Sequence, residues 1–300
     1  MDFPYIDPVI VQLGPLALRW YGLTYVAGLL ALWYLGNYRA QFSHNNWTKE
    51  QVSDFITYAF MGIFFGGRIG YVLFYNFDRF LENPIYLFKV WEGGMSFHGG
   101  LIGVCIAFAL FARHTHKRFF EVADFLAPMV PIGLGFGRLG NFINGELWGR
   151  EVVDQSLPWA MRFACNAEKA PWFTACDPAA LLRHPSQLYQ AFFEGLVLFT
   201  ILFLFSRKPR PLMSVSGLFL LFYGLFRFIV EFYREPDAHL GLFFGNAVSM
   251  GQILSLPMII GGAVLVFLAY RNHEMPRGKS TNEPKKAKKV KKQQAARSKS

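Results

Sequence analysis

Charge is scarce along most of this chain. Only 17% of its 300 residues are charged, and 53% are hydrophobic. Residues 247–270 carry no charge over 24 positions, and residues 20–36 are uncharged as well. Because about 20 apolar residues span the hydrocarbon core of a bilayer, such runs are typical of transmembrane helices. The composition therefore excludes an ordinary soluble domain.

Cysteine is also scarce, and we expect neither a metal-ligand site nor a cleavable leader. The chain has three cysteines and no spacing typical of a metal site. Cys165 and Cys176 lie in one long connection, where a disulfide and two free thiols are both open alternatives. Cys105 lies in an apolar run and is expected to be a small core residue. The amino terminus, MDFPYIDPVI, has no basic region and no small-residue cleavage site, so the first helix is expected to be retained.

What the chain has instead is a series of hydrophobic segments. Helices are expected, since backbone amides that face lipid must be satisfied within their own segment. The predicted fold class is thus an all-α integral membrane protein, a seven-transmembrane-helix bundle. The predicted spans are roughly 20–36, 53–75, 94–112, 119–140, 188–205, 215–233 and 247–270.

The distribution of positive charge predicts the orientation of this bundle. The loops 39–51, 113–118 and 206–214 hold eight Lys/Arg in 28 residues, whereas the segments on the other side hold seven in 92. The positive-inside rule then places the amino terminus outside and the carboxyl terminus in the cytoplasm. Residues 1–270 are predicted to form one transmembrane domain, in which the connection 141–187 is external.

The excess of positive charge is confined to the end of the chain. The formal net charge is +10, and residues 277–300 contain ten Lys/Arg against one acid, Glu283. Residues 271–300 are therefore predicted to be a disordered basic cytoplasmic tail. A nucleic-acid patch is the alternative, but a basic tail after a last membrane helix favours attraction to anionic lipid headgroups. We expect no nucleic-acid partner.

Polar residues from six or seven of the predicted helices fall at one depth, near the external side. Asp124, near the inner end of the fourth helix, is the main exception. Charged groups inside a membrane are costly and usually mark a working site. The residues at the shared level are Tyr21, Arg68, His98, Arg138, Asn141, Gln187, Tyr189, Glu194, Arg227, Glu231 and Gln252.

Three arginines at this depth, Arg68, Arg138 and Arg227, predict a basic pocket for an anionic ligand, and a phospholipid headgroup is the local candidate. Purely structural alternatives are an Arg68–Glu194 ion pair and simple neutralisation of Arg227 by Glu231. A membrane transporter of an anionic solute or lipid is the main alternative function, and a non-catalytic scaffold is the second. Transporter sites usually lie at the midplane between internal repeats, whereas these groups lie in the outer half and the chain shows no repeat.

Several of these residues lie in long motifs. The segment GRLGNFINGELWG (137–149) resembles the signature of the bacterial prolipoprotein diacylglyceryl transferases, and the likeness runs from residue 16 to residue 270 in the family's order. The basic tail and the insert with both external cysteines lie outside it. The other motifs are RWYGLTY (19–25), GGRIGYVLFYN (66–76), WEGGMSFHGG (91–100), HPSQLYQ (184–190) and FYGLFRFIVEFYREPDAHLG (222–241).

This resemblance implies a multi-pass enzyme of the bacterial inner membrane that performs the first step of lipoprotein maturation. It would take the diacylglyceryl group from phosphatidylglycerol and place it on the lipobox cysteine thiol of a preprolipoprotein signal peptide. A thioether would form and glycerol phosphate would leave. We expect no metal and no organic cofactor, because the leaving group is already an activated phosphodiester. The nucleophile belongs to the substrate, so the chain's own cysteines should be dispensable for the chemistry.

The resemblance also assigns site residues. Arg138 and Arg227 would hold the phosphate and stabilise the charge that grows on the leaving oxygen. His98 would accept the thiol proton, since imidazole ionises near neutral pH. Asn141 and Tyr21 are expected to bond the glycerol hydroxyls. Substrate-binding residues in the same pocket are expected to be Tyr21, Arg68, Asn141, Glu146, Gly149, Tyr223 and Glu231, with Glu231 positioning Arg227.

Overall fold

The computed structural model describes residues 1–277 except for 15, 43, 154–156, 167, 169, 174–175, 237–241 and 244–247. The predicted tail lies outside the described residues from position 278 onward. The described part is mainly α-helical. Its α-helices are α1 Trp20–Arg39, α2 Lys49–Tyr75, α3 Phe77–Glu82, α4 Phe97–His114, α5 Phe119–Leu126, α6 Val130–Ile143, α7 Ser186–Gln190, α8 Leu198–Phe205, α9 Ser214–Val230 and α10 Met250–Asn272.

Short strands and tighter turns complete the described structure. A π-helix, Ala191–Val197, joins α7 to α8, and two 3₁₀-helices follow α3 at Pro84–Phe88 and Val90–Glu92. The strands form three antiparallel pairs. They are β1 Val9–Leu13 with β2 Leu16–Arg19, β3 Met161–Arg162 with β4 Leu182–Arg183, and β5 Leu242–Phe243 with β6 Val248–Ser249.

Within the described residues each predicted hydrophobic segment is mostly helical, so the all-α membrane class is confirmed. By length and composition, four helical segments in the described residues are able to cross a membrane: α2, α4, Ser186–Phe205 and α10. The pair α5 and α6 would add a fifth, although it is bent by 49°. Pro128 and Pro131 lie at this bend, where a residue without an amide proton interrupts helical hydrogen bonding. Helix α9 is apolar but shorter, with 17 residues.

Glycines allow α2 and α4 to pack with their backbones in contact. A Cβ atom on Gly66 would lie 2.4 Å from the carbonyl oxygen of Gly99, and a Cβ atom on Gly99 would lie 2.3 Å from that of Gly66. No side chain fits in this space. Small residues serve this purpose in membranes, where helices associate through close van der Waals packing rather than through exclusion of water. The pair α2–α4 is therefore held in one register.

The two ends of the helical bundle are distinguished below as the site end, which holds Arg138 and Arg227, and the tail end, where α10 finishes at Asn272. At the tail end Asp124 accepts hydrogen bonds from the backbone amides of Met213 and Ser216, both at 2.8 Å. Its carboxylate thus caps the start of α9, where unpaired amides favour a negative charge. This contact explains why Asp124 lies apart from the other polar groups.

The connection 141–187 has a small core of its own, into which the amino terminus inserts. Phe3 is buried against Phe163 and Phe173, and the Phe3 amide donates to the Arg162 carbonyl at 3.0 Å. The Met1 ammonium donates to the Ala160 carbonyl at 2.7 Å. The first residues of the chain are thereby part of this segment's fold.

The cysteines differ in their surroundings. Cys165 and Cys176 form a disulfide within the connection 141–187, which decides between the two alternatives that the sequence leaves open. Cys105 is exposed on the surface of the described structure, so the prediction that it is a core residue is wrong. The α2 side of α4 is occupied by the glycines of that helix, and Cys105 lies outside this contact.

Candidate active site

Three elements bring Arg138, Glu194 and Arg227 together at the site end. Arg138 comes from α6, Glu194 from the middle of the π-helix and Arg227 from the last turn of α9. One carboxylate oxygen of Glu194 lies 3.8 Å from Nη2 of Arg138, and the other lies 3.9 Å from Nη1 of Arg227. Glu194 is fully buried, while the arginine side chains are 22% and 16% exposed. The Glu194 carboxylate therefore lies between the guanidinium groups of Arg138 and Arg227.

The network continues along α9 and into the segment after it. Nη2 of Arg227 lies 2.9 Å from Oε2 of Glu231, one helical turn further on. Oε1 of Glu231 lies 3.3 Å from Nη1 of Arg234 and accepts a hydrogen bond from the Ser249 hydroxyl at 3.0 Å. Glu231 thus positions Arg227 from the side opposite Glu194.

These five residues, Arg138, Arg227, Arg234, Glu194 and Glu231, are called the arginine–carboxylate cluster below. The two arginines around Glu194 have hydrogen-bonding capacity to spare. Their distances to the Glu194 oxygens are longer than a hydrogen bond, and Nη1 of Arg227 is buried without a hydrogen-bond partner in the described structure. Buried N–H donors without an acceptor are costly. An anion that accepts several hydrogen bonds, such as a phosphodiester, would satisfy them.

The local backbone explains how Glu194 reaches this position. A π-helix contains an extra residue in its turn, and such turns are frequent at functional sites. A Cβ atom on Gly195 would lie 2.8 Å from the Cα atom of Gly135 in α6, so the two helices are in backbone contact beside Glu194. Both Glu194 carboxylate oxygens are buried and accept no hydrogen bond within the described structure. Acceptor capacity is therefore also left unused at the centre of the cluster.

A second polar group follows directly after α6. The Asn141 amide donates to Oε1 of Glu146 at 2.8 Å, and Asn144 donates to the same oxygen at 3.3 Å. Tyr21 packs against this turn, since a Cβ atom on Gly140 would lie 2.7 Å from the Tyr21 ring. Polar donors and acceptors from α1 and from the signature motif are thus brought together next to Arg138.

Gly149 is required by the close approach of two other segments. Its amide donates to the His184 carbonyl at 2.8 Å. A Cβ atom would lie 2.4 Å from the Tyr233 carbonyl oxygen and 2.5 Å from that of His184. Any side chain at this position would displace backbone from the wall of the site, because these contacts are to backbone atoms rather than to flexible side-chain ends.

Tyr223 and His98 have fewer contacts. Tyr223 lies two turns before Glu231 on α9, is half-buried, and stacks on Phe219 with ring centroids 5.7 Å apart. His98 lies in the first turn of α4, is exposed, and contacts the Phe97 ring. Within the described residues, no hydrogen bond or ion pair joins His98 to the arginine–carboxylate cluster.

Arg68 is buried and has a different set of partners. Its Nε donates to the Leu87 carbonyl at 3.0 Å, and its Nη2 donates to the carbonyls of Tyr86 and Lys89 at 2.6 and 2.9 Å. Its Nη1 donates to the Gly93 carbonyl. The alternative of an Arg68–Glu194 ion pair is wrong, since Glu194 lies against Arg138 and Arg227. Arg68 instead fastens the segment after α3 onto α2.

Comparison with known proteins identifies the family of this chain. The family model described as prolipoprotein diacylglyceryl transferase matches residues 8–268. The chain belongs to this family. It is 57% identical over 282 residues to the phosphatidylglycerol–prolipoprotein diacylglyceryl transferase of Sodalis glossinidius, covering 91% of this chain and 96% of the relative. It is 58% identical over 271 residues to the protein of the same name from Photobacterium profundum, covering 90% and 96%. The resemblance seen in the motifs is confirmed.

Three parts of the ion-pair and hydrogen-bond network around Glu194 and Glu231 are not predicted from the sequence. The sequence places Glu194 among the polar residues at the site end but offers Arg68 as its partner. Arg234 follows the predicted span 215–233 and Ser249 lies within the predicted span 247–270, but neither is identified from the sequence. The available signal is the spacing of Arg227, Glu231 and Arg234, which places all three on adjacent turns of one helical face.

Proposed function

We propose that this chain transfers the diacylglyceryl group of phosphatidylglycerol to the lipobox cysteine of a preprolipoprotein signal peptide in the bacterial inner membrane. The observation that carries this proposal is the pair Arg138 and Arg227, held around one buried carboxylate with N–H donors to spare. Phosphatidylglycerol has one phosphodiester, whose oxygens accept such donors. The relatives that match over nine-tenths of the chain carry the name of this reaction.

Arg138 and Arg227 bind the phosphate in this proposal. The substrate thiolate attacks the glyceryl carbon that is bonded to the phosphate oxygen, so a carbon–sulfur bond forms as the carbon–oxygen bond breaks. The electron pair of the broken bond stays on the departing glycerol phosphate, which gains a negative charge. Preorganised guanidinium groups stabilise that growing charge most strongly where water is excluded. Glu194 and Glu231 hold both groups in place before the lipid arrives.

The polar residues around the end of α6 bind the uncharged glycerol of the lipid headgroup. Asn141 and Tyr21 lie beside Arg138 and offer donors for the glycerol hydroxyls, while Glu146 holds the Asn141 amide. Gly149 keeps the facing backbone of His184 and Tyr233 close. Tyr223 lines the α9 side of the same pocket. Arg68 contributes indirectly, by fastening the segment that follows α3.

His98 is the proposed acceptor of the thiol proton. Because His98 is exposed and forms no hydrogen bond or ion pair with the cluster in the described residues, this role requires the bound peptide to bring its thiol between α4 and the two arginines. Replacement of His98 by Gln is expected to abolish transfer and to leave phosphatidylglycerol binding intact. Full transfer activity in His98→Gln would exclude the role of base.

The membrane placement follows the distribution of charge. We propose seven spans, with the amino terminus outside and the carboxyl terminus in the cytoplasm, and residues 1–270 as one catalytic domain. The site end would then face the external side, where the connection 141–187 and its disulfide also lie. An oxidising compartment agrees with a disulfide in that connection.

The decisive experiment incubates the purified protein with phosphatidylglycerol and a lipobox peptide, and measures the diacylglyceryl adduct on the peptide by mass spectrometry. We expect an adduct with the unmodified chain and none with Arg138→Ala. Arg79→Ala is the matched control, because this arginine side chain is 61% exposed and lies outside the cluster. An unmodified peptide in the presence of bound phosphatidylglycerol would refute the transfer reaction while leaving the lipid pocket intact.

A further inference from the structure

A second charged cavity lies at the tail end of the bundle. Arg39 is the last residue of α1, whose first residue is Trp20 at the site end. A helix of this length places Arg39 about 30 Å from the end that holds the arginine–carboxylate cluster. The space between its walls, including the part that is open to solvent, is about 360 Å³, and these walls include Arg39, His44, Asn45, Ser206, Lys208 and Arg210.

Arg39 has an unusual environment for a buried charge. It is 1% exposed. Its Nε donates to the Phe125 carbonyl at 3.2 Å, and its Nη1 donates to the Ser206 hydroxyl at 2.6 Å. Within the described part of the chain, Nη2 donates no hydrogen bond and no carboxylate oxygen lies within ion-pair distance. Buried arginines are normally paired with an anion, because desolvation of an unpaired charge is costly.

Two carboxylates, Asp124 and Glu121, also line this cavity, and Asp124 attracts Arg39 from beyond ion-pair distance. Both carboxylates already accept hydrogen bonds from other donors. Asp124 accepts hydrogen bonds from the start of α9, and Glu121 accepts from the side chain of Arg118 and the backbone amide of Arg277. Nε2 of His44 is buried and has no hydrogen-bond partner in the described structure. The cavity therefore offers more N–H donors and positive charge than its own acceptors satisfy.

We infer that this cavity binds a phosphate group, with Arg39 as the buried donor and Lys208 at the entrance. A phosphate oxygen accepts several hydrogen bonds at once, and guanidinium groups match its geometry. Two sources supply this chemistry at the tail end: the headgroup of an anionic phospholipid and free inorganic phosphate. The site lies at the opposite end of the bundle from the arginine–carboxylate cluster, so the inference does not depend on the proposed transfer reaction.

The test measures thermal unfolding of the purified protein in detergent at constant ionic strength. One arm adds inorganic phosphate in place of chloride, and the other adds micelles doped with dioleoylphosphatidic acid. Lys208→Met removes a cation from the cavity entrance without altering the buried core. Arg207→Met is the matched control, because it removes one positive charge from the same loop but outside the cavity walls. Arg39→Lys keeps the buried charge and loses the guanidinium geometry.

Ligand at about ten times its dissociation constant is expected to raise the midpoint by roughly 3 °C. Stabilisation that is smaller in Lys208→Met and Arg39→Lys than in Arg207→Met would support the site. The arm that shows this difference identifies the source of the phosphate. Equal stabilisation of all variants in both arms would overturn the inference, since phosphate that binds only at the site end stabilises each variant alike. The absence of stabilisation in every variant would overturn it as well.

Discussion

Replacement of Glu194 by Gln tests the role of the buried carboxylate between the two arginines. The amide has nearly the same shape but no charge, so the packing of the π-helix against α6 is retained. Arg138 loses the carboxylate that lies 3.8 Å away, whereas Arg227 keeps Glu231 at 2.9 Å. The cluster as a whole becomes more positive by one charge.

The magnitude follows from these distances. Two unit charges about 4 Å apart attract by about 4 kcal/mol at an effective dielectric constant near 20. The partial exposure of both arginine side chains screens much of this, and desolvation of the carboxylate offsets more. We expect a loss of transition-state stabilisation of about 1–3 kcal/mol, which lowers kcat by about 5- to 150-fold. The KM for phosphatidylglycerol should fall or stay unchanged, because a more positive pocket still attracts the phosphodiester.

The assay is the initial rate of adduct formation at a series of phosphatidylglycerol concentrations with the lipobox peptide held fixed. Glu235→Gln is the matched control, since this carboxylate is 46% exposed and pairs with Arg183 rather than with the cluster. An unchanged kcat in Glu194→Gln would refute the argument that Glu194 positions the two arginines. An equal loss in Glu235→Gln would show that the effect is not specific to the cluster.

Three further predictions concern the frame around the site. Asp124→Asn should destabilise the protein by about 1–3 kcal/mol, because an amide cannot accept every hydrogen bond from the start of α9; thermal unfolding measures this loss, and an unchanged midpoint would contradict it. Burial alone would raise the pKa of Asp177, but hydrogen bonds from Arg183 and the Ala179 amide lower it below its ordinary value. The ionised Asp177 therefore stabilises the fold above the ordinary aspartate pKa, and this stabilisation is lost as the pH falls through the lowered pKa of the folded protein. Proteolysis of the connection 141–187 should increase only in that acidic range. In Asp177→Asn the rate of proteolysis should no longer depend on pH in this way. Replacement of all three cysteines by serine should retain transfer activity and make the connection 141–187 easier to cleave by a protease. A folded variant without transfer activity would show that a cysteine takes part in the chemistry.

Much of the site can be anticipated from residue type and position in the chain. Arg138 and Arg227 stand out because a guanidinium group in an apolar segment requires a purpose or a partner. The family is recognisable from long motifs such as residues 137–149, and the comparisons confirm it. The partner of Glu194 cannot be anticipated in this way. The same holds for Arg68, which bonds to backbone carbonyls that no residue pattern identifies.

The helical membrane class and the family are readable from the residues alone. The free energy of transferring an apolar segment into the membrane and the residue order of a motif are both local properties of the chain. Which charged side chains contact one another depends instead on the packing of the helices. One extra residue in a helical turn rotates every later side chain by about 100°, and the π-helix at Glu194 is such an insertion. The ion-pair partner of a buried side chain depends on the rotation, bend and register of helices that are distant in the chain. Contacts such as that of Gly135 with Gly195 set this helix geometry.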